Sequence, residues 1–366
     1  MTKLHDLYAQ QGQSPWLDNL KRGWITSGEL ERWVQRGVRG ITSNPTIFAK
    51  AISGSPDYDD QFRELVRNGQ SVEASYWELV KADIEDGLRI LRPIYDASDG
   101  EDGYISIEVA PELARNTAGT ITSARELWEQ IDDPNLLVKI PGTAEGLPAI
   151  KKSLSDGINI NVTLLFGLER YAEVIDAYLD AVEERVDRGD DVSRLASVAS
   201  FFVSRVDSEV DHRLETIGTP EALALRGKAA VGNAQLAYEL FLDRFSGERW
   251  ERLAAAGAML QRPLWASTST KNPAYPPTLY VDTLIGPNTV NTMPETTLVD
   301  FEEKGTVART VDADLPGAHA VMDALAKVGI DMRDVTRTLE EEGVASFSKS
   351  FDELITSLEG KAAELR

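Results

Sequence analysis

Residues 135–143 read NLLVKIPGT, an apolar run that carries one lysine, Lys139, and breaks at Pro141-Gly142. A short apolar run closed by Pro-Gly is typical of a buried strand that enters a loop. Lysine is rarely buried without a reason, and loss of solvent around an ammonium favours the neutral, nucleophilic amine. The segment therefore predicts a strand that ends near a Schiff-base lysine. The alternative is a strand-end lysine that extends its ammonium to water.

Seven further segments share this strand-like pattern, and helical patterns separate most of them. The eight predicted strands are 14–18, 38–43, 104–109, 136–140, 160–164, 197–203, 263–267 and 289–293. Strands that alternate with helices indicate a parallel sheet with the helices outside. Eight such units predict an α/β fold, a single (β/α)8 TIM barrel with extra helices, whose site lies at the C-terminal ends of the strands. A doubly wound sheet is the rival, but no GxGxxG or Walker loop follows any strand.

One domain is expected over residues 1–366, because no Pro/Gly/Ser linker and no shift in composition divides the chain. We expect a helical elaboration of the barrel around 207–256 and a C-terminal helix around 334–364. Thr26 and Glu29 have the spacing of a capping box for a helix that ends at Gly37.

The charge balance is strongly acidic, with 38 Lys+Arg against 60 Asp+Glu and a net charge of -22. Such a surface repels nucleic acid and anionic membranes, so phosphate binding would need a local basic site. Neither a secretory h-region nor a run of membrane-helix length is present. We therefore expect a cytoplasmic protein without nucleic-acid or membrane partners.

Metal and thiol chemistry have few candidate residues. Cysteine is absent, which excludes disulfides, a thiolate nucleophile and Cys metal sites. His5, His212 and His319 lie far apart and show no metal-binding spacing, although carboxylates could still hold Mg²⁺. His212 lies in an acidic helical stretch and is expected at the surface.

Polar residues occur within or just after the predicted strands, where a barrel would gather them at one end. They are Asp18, Asn44, Glu108, Lys139, Asn161, Thr163, Ser200, Arg205, Ser267, Ser269 and Lys271. The set offers an amine nucleophile, two carboxylates for proton transfer, carboxamides for hydroxyl groups and cations for an anion. Together these groups indicate Schiff-base chemistry on a phosphorylated sugar.

The sequence also resembles the transaldolases over nearly its whole length. The matching strings are TSNPT (42–46), SIEVAPEL (106–113), LLVKIPGT (136–143), ININVTLLF (158–166), SFFVSR (200–205) and PLWASTSTKNP (263–273). The resemblance is to the longer transaldolases, which in some organisms are fused to a phosphohexose isomerase, without the isomerase part. It implies a barrel enzyme of the pentose phosphate pathway that needs no cofactor. Such an enzyme transfers a dihydroxyacetone unit from sedoheptulose 7-phosphate to glyceraldehyde 3-phosphate, giving erythrose 4-phosphate and fructose 6-phosphate.

The resemblance implies a role for each catalytic residue. Lys139 would form the imine with the donor ketone, and Asp18 would take the proton of the donor C4 hydroxyl. Glu108 would transfer protons through a water held by Thr163.

It also implies the binding residues. Asn44 and Asn161 would bind hydroxyls with Ser200 in support, while Arg205 and Ser267 would bind the phosphate. Phe202 stands where fructose 6-phosphate aldolases tend to have a tyrosine, which favours transfer over release of dihydroxyacetone. Ser269 stands where shorter transaldolases have a phosphate-binding arginine, and we expect Lys271 to supply that charge.

Three other functions stay open at this point. They are a Schiff-base aldolase that releases free dihydroxyacetone, a silent sugar-phosphate binder on the same scaffold, and a metal-dependent barrel hydrolase or isomerase. The expected assembly is a monomer or a homodimer.

Overall fold

A closed barrel of eight parallel strands organises residues 2–365, the part of the chain that the computed structural model describes. The strands are β1 Gln13–Leu17, β2 Ile41–Thr42, β3 Ile105–Glu108, β4 Leu136–Pro141, β5 Ile160–Leu165, β6 Ser197–Phe202, β7 Arg262–Ala266 and β8 Thr289–Met293. Each strand pairs in parallel with the next, and β8 pairs with β1 to close the sheet. The predicted (β/α)8 barrel is confirmed, and the doubly wound sheet is excluded. Only β2 is much shorter than predicted: it begins at Ile41 rather than at residue 38, and it ends at Thr42, two residues before the N-cap Asn44 of the next helix.

Helices cover the outside of the barrel and one of its ends. They are α1 Lys3–Gln11, α2 Arg22–Thr26, α3 Glu29–Arg36, α4 Pro45–Ser53, α5 Asp59–Arg67, α6 Val72–Ala97, α7 Thr117–Ile131, α8 Gly146–Ser155, α9 Leu168–Arg188, α10 Ser204–Ile217, α11 Pro220–Leu223, α12 Ala229–Arg244, α13 Gly247–Ala255, α14 Leu279–Asp282, α15 Glu295–Lys304, α16 Leu315–Lys327 and α17 Met332–Leu365. None of the helices described within 2–365 combines the length and the apolar character needed to cross a bilayer.

The predicted capping box at the start of α3 is wrong. Thr26 is the last residue of α2, and its hydroxyl donates to the carbonyls of Arg22 and Gly23. Gly28 is the N-cap of α3, with a φ of 73° that an L side chain rarely adopts. The spacing of Thr26 and Glu29 misled the prediction because a short helix, not a loop, precedes α3. His212 is exposed on α10, as predicted.

A buried ion network around Asp102 lies at the N-terminal ends of the strands. Asp102 accepts hydrogen bonds from Ser14 Oγ at 2.6 Å, Arg39 Nε at 2.7 Å and Arg262 Nη2 at 3.0 Å. Burial by itself would raise the pKa of Asp102, but the charges of Arg262 and Arg39 outweigh it and hold this pKa below its usual range. This end of the barrel thus serves stability, as is usual for the fold.

The opposite end, where the strands terminate, is called here the mouth, and α17 crosses beside it. This helix packs against α4, α5, α6 and α10. It approaches β5 at Gly343, where a Cβ would come within 2.9 Å of the Leu164 side chain. The close approach brings Ser346, Phe347 and Ser350 of α17 to the mouth.

Candidate active site

A pocket of about 570 Å³ opens at the mouth, and we call it the mouth pocket. Nine of the twelve predicted site residues line it: Asp18, Asn44, Lys139, Ser200, Phe202, Arg205, Ser267, Ser269 and Lys271. A larger pocket of about 940 Å³ lies outside the barrel between α9, α12, α16 and the start of α17, and none of the predicted residues lines it. The topology therefore gathers side chains that are up to 253 residues apart in sequence (18 to 271) in one cavity.

Lys139 lies in the wall of the mouth pocket and does not extend to solvent. Its register partners on the neighbouring strands are Glu108 of β3 and Asn161 of β5. The residue is only 4% exposed, and its Nζ donates to the Ser43 carbonyl at 3.2 Å. Nζ also lies 3.4 Å from Glu108 Oε2. A buried ammonium with one carboxylate beside it can pass its proton to that carboxylate.

Asp18 follows β1 and forms the second carboxylate of the site. Thr42 Oγ1 donates to Asp18 Oδ1 at 2.7 Å, and the Thr42 and Thr292 hydroxyls are 2.6 Å apart. Burial raises the pKa of Asp18, while the charge of Lys139 and the Thr42 hydrogen bond oppose the rise. Burial likewise raises the pKa of Glu108, against the opposing charge of Lys139. Two carboxyl groups with raised pKa values therefore flank one amine, an arrangement suited to acid–base catalysis.

Glu108, Asn161 and Thr163 lie behind the mouth pocket rather than on its wall. Glu108 Oε2 and Thr163 Oγ1 are both buried, and neither has a hydrogen-bond partner within residues 2–365. Asn161 is fully buried: its Nδ2 donates to Ser106 Oγ at 2.9 Å, and its Oδ1 accepts from Ser200 Oγ at 2.7 Å. The structure therefore connects Asn161 to the pocket through Ser200.

Two strand ends at the mouth contain residues with positive φ other than glycine. Leu164 has a φ of 58° in a stretch of β5 where the register with β6 shifts, and Ser267 has a φ of 56° directly after β7. Ser267 is held by a 2.9 Å contact between its hydroxyl and that of Ser204. Strain of this kind persists where the surrounding structure enforces it, and it is concentrated at functional sites.

Arg205 enters the mouth pocket from the first turn of α10. No carboxylate among the described residues lies within ion-pair distance of it. Instead its guanidinium carbon lies 5.1 Å from the ring centroid of Phe202 and 5.9 Å from that of Phe347. Aromatic faces hold a guanidinium without using its N–H donors, so these donors stay available to an anion. Burial lowers the pKa of Arg205, partly against the charges of Asp18 and Glu108.

Three further predicted binding residues have defined local partners. Asn44 Oδ1 caps α4 by accepting from Ile47 N at 3.0 Å, so its Nδ2 is the atom left for a ligand. Lys271 Nζ donates to Ser269 Oγ at 2.7 Å. The ammonium of Lys271, the predicted phosphate-binding cation, is therefore held beside the uncharged Ser269.

Sequence reasoning missed four kinds of contributor to the site. Thr42 lies in the TSNPT string. It is a polar residue at the end of a predicted strand, and this position could have identified it as a site residue. Lys50 follows Ile47 by one helical turn of α4, so helical spacing also pointed to it. Phe347 and its neighbours on α17 gave no signal, because a pattern does not show where a distant helix docks. The Ser43 carbonyl that binds Lys139 is a backbone group and is not encoded by residue type.

No group of three or more His, Cys, Asp or Glu side chains is arranged to hold a metal ion within the described part of the chain. The residues at the mouth instead form an amine, carboxylate and cation site.

Comparison with known proteins identifies the family of this chain. The family model "Transaldolase/Fructose-6-phosphate aldolase" matches residues 15–358. A transaldolase of Parafrankia sp. is 53% identical over 357 residues, covering 97% of this chain and 96% of the relative. A transaldolase of Acidothermus cellulolyticus is 52% identical over 95% of this chain and 94% of its own length. Transaldolase 2 of Streptomyces avermitilis is 48% identical over 100% of this chain and 99% of its own length. The chain therefore belongs to the transaldolase/fructose-6-phosphate aldolase family.

Proposed function

We propose that the protein is a transaldolase that moves a dihydroxyacetone unit from sedoheptulose 7-phosphate to glyceraldehyde 3-phosphate through a Schiff base on Lys139. The observation that supports this best is the amine of Lys139, buried in the wall of the mouth pocket and 3.4 Å from Glu108. Relatives of nearly the same length are named transaldolase. Their reaction fits an amine nucleophile with two carboxyl groups beside it.

Imine formation begins when Lys139 passes its proton to Glu108. The neutral amine attacks the C2 carbonyl of the donor, and the carbinolamine then loses its hydroxyl as water. Glu108 returns a proton to that hydroxyl through a water bound by Thr163. The buried Oε2 of Glu108, which lies 3.4 Å from Lys139 Nζ, and the buried Oγ1 of Thr163 have no hydrogen-bond partner in residues 2–365, so both can bind this water.

Cleavage of the C3–C4 bond requires a base at the C4 hydroxyl and an electron acceptor at C2. The Asp18 carboxylate takes the hydroxyl proton, and the bonding electrons move to the protonated imine to form an enamine. The aldose phosphate leaves. When the acceptor binds, the enamine carbon attacks its aldehyde and Asp18 returns the proton to the new hydroxyl. A raised Asp18 pKa brings its proton affinity closer to working pH, which suits both directions.

Substrate recognition divides between hydroxyl and phosphate groups. Asn44 Nδ2 binds the hydroxyls of the three-carbon unit. Asn161, which we predicted to bind them directly, has both ends of its amide held by Ser106 and Ser200 and does not line the pocket, so it acts through Ser200. Arg205 and Ser267 bind the phosphate. Phe202 supplies no phenol that could activate water, so the enamine persists until an acceptor arrives.

Lys271 provides the second phosphate charge at the position where Ser269 has none. Lys271→Ala should raise KM for phosphorylated donors, and an unchanged KM would remove Lys271 from this role.

The need for an acceptor distinguishes a transaldolase from an aldolase. With fructose 6-phosphate and erythrose 4-phosphate, we expect sedoheptulose 7-phosphate and glyceraldehyde 3-phosphate to form. With fructose 6-phosphate alone, we expect little free dihydroxyacetone; release at a rate near that of transfer would identify an aldolase. A chelator should leave the rate unchanged, whereas a metal-dependent barrel enzyme would lose activity. A silent binder would bind sugar phosphates without turnover.

The proposed partners are phosphorylated sugars, without nucleic acid, and the proposed assembly is a monomer or a homodimer. The net charge of -22 opposes binding to polyanions. Light scattering on the purified protein measures the assembly, and a tetramer or larger would contradict it.

A further inference from the structure

Besides Asp18 and Glu295, four cations line the mouth pocket of this acidic protein, and these four form no ion pair within residues 2–365. They are Lys21, Lys50, Arg205 and Lys271. Within residues 2–365, most other arginines and lysines form ion pairs, for example Arg249 with Asp180 and Glu183. Like charges held near one another repel, so such a group is stable only in water or around an anion. The cations outnumber the two carboxylates of the pocket, so the pocket suits a multiply charged anion.

Lys50 reaches the mouth pocket from α4. Ile47, Lys50 and Ala51 all line the pocket, as residues at i, i+3 and i+4 of one helix face do. The helix is fixed at its start by the Asn44 cap. The helix is also tied to α17 by a 2.9 Å hydrogen bond from Thr46 Oγ1 to Ser350 Oγ. The base of the Lys50 side chain is thus held in place on the pocket rim.

Lys50 and Lys271 line the same pocket, and the positive charge of Lys50 acts on the ammonium of Lys271. The pKa of Lys271 is lowered, mainly by burial and then by the positive charges of Arg205 and Lys50, with Asp18 acting in the opposite direction. Lys21 differs, because its ammonium lies over the Trp24 ring at 4.1 Å from the centroid. Of the lysines on the rim, Lys50 is the one whose charge converges with Lys271 and Arg205.

We propose that Lys50 is a further specificity-determining residue that binds the substrate phosphate together with Lys271 and opposite Arg205. This inference rests on the proposed function. Two ammonium groups supply two point charges at a position where Ser269 supplies none. Their combined charge favours a phosphate dianion over a monoanion and over an uncharged sugar.

The test uses the two acceptors glyceraldehyde 3-phosphate and glyceraldehyde. With saturating sedoheptulose 7-phosphate, release of erythrose 4-phosphate is the signal in both cases. Because double displacement separates the two half-reactions, kcat/KM for the acceptor reports only its capture by the enamine form. We expect Lys50→Gln to lower kcat/KM for glyceraldehyde 3-phosphate about tenfold, as for one lost charge-assisted contact, and to leave glyceraldehyde unchanged.

Lys50→Arg should retain most of the wild-type preference for the phosphorylated acceptor. Lys228→Gln is the matched control, since Lys228 is exposed and lies outside the mouth pocket. Below about pH 6 the phosphate takes up a proton, so the loss in Lys50→Gln should shrink there. An equal fall with both acceptors, or no fall with either, would overturn the proposal.

A second measurement does not depend on turnover. Inorganic phosphate, titrated calorimetrically into the resting protein at about pH 8, should bind wild type and Lys50→Arg alike and Lys50→Gln several-fold more weakly. Equal binding by all variants would overturn the role of Lys50 even if the transaldolase reaction is intact. Absence of turnover in wild type with weakened phosphate binding in Lys50→Gln would instead contradict only the proposed function.

Discussion

Replacing Thr42 by valine should move the acidic limb of the pH–rate profile to higher pH. Thr42 donates a 2.7 Å hydrogen bond to the Asp18 carboxylate, and this bond lowers the pKa of Asp18 against the effect of burial. Valine keeps the shape of threonine but removes the donor. A hydrogen bond to a charged acceptor contributes about 1.5–3 kcal/mol, and one pKa unit corresponds to about 1.36 kcal/mol. Loss of the bond should therefore raise the pKa of Asp18 further and lower kcat/KM on the acidic limb by roughly 10- to 100-fold.

The acidic limb should move to higher pH because Asp18 is proposed to act as a base. The carboxylate is the active form, so a higher pKa removes activity at low pH and leaves the plateau at high pH nearly unchanged. The assay is kcat/KM for fructose 6-phosphate as a function of pH, with erythrose 4-phosphate as the acceptor. Thr292→Val, which removes only the hydroxyl that contacts the Thr42 hydroxyl, should give a smaller shift in the same direction. A lower plateau with an unmoved acidic limb would refute the reasoning.

Two further predictions concern other parts of the molecule. Asp102→Asn should reduce the free energy of unfolding at pH 7 by about 3–5 kcal/mol in urea titrations, because it leaves Arg39 and Arg262 without their buried partner. Since the pKa of Asp102 is depressed in the fold, its contribution is complete above about pH 4 and lost at lower pH, so wild type and variant should converge there. Phe347→Leu removes one aromatic face from Arg205 and should raise KM for phosphorylated substrates about 2- to 10-fold with little change in kcat, whereas Phe347→Tyr should not. An equal loss in both variants would mean that the ring does not position Arg205.

The architecture was predictable from sequence because each strand of a parallel barrel is buried on both faces. Such strands are short apolar runs between helical patterns, and their number suggested closure. NLLVKIPGT placed Lys139 near a strand end, and the register with Glu108 then followed from the fold. Where a helix of five residues precedes α3, the pattern of Thr26 and Glu29 gave a wrong cap.

The site was less predictable because its contacts depend on how distant segments pack. Its residue type identified Asn161 as a polar group near the mouth. Residue type did not show that Ser106 and Ser200 hold the two ends of its amide. One of the two aromatic rings beside Arg205 is that of Phe347, on α17. This helix begins at Met332, 130 residues after β6 ends at Phe202. No periodicity within α17 shows which strand end it approaches. The approach of α17 to β5 depends on Gly343, because a Cβ at this position would lie 2.9 Å from the Leu164 side chain. The need for a glycine there is visible only when the position of Leu164 is known.

In the proposed mechanism, Lys139 forms a covalent imine with a ketose phosphate donor. The most direct measurement is borohydride reduction in the presence of fructose 6-phosphate, read by intact mass and peptide mapping, with Lys139→Ala in parallel. We expect one reduced dihydroxyacetone unit on Lys139 in wild type and no adduct in the variant. No adduct in wild type, or an adduct that persists in Lys139→Ala, would contradict the mechanism.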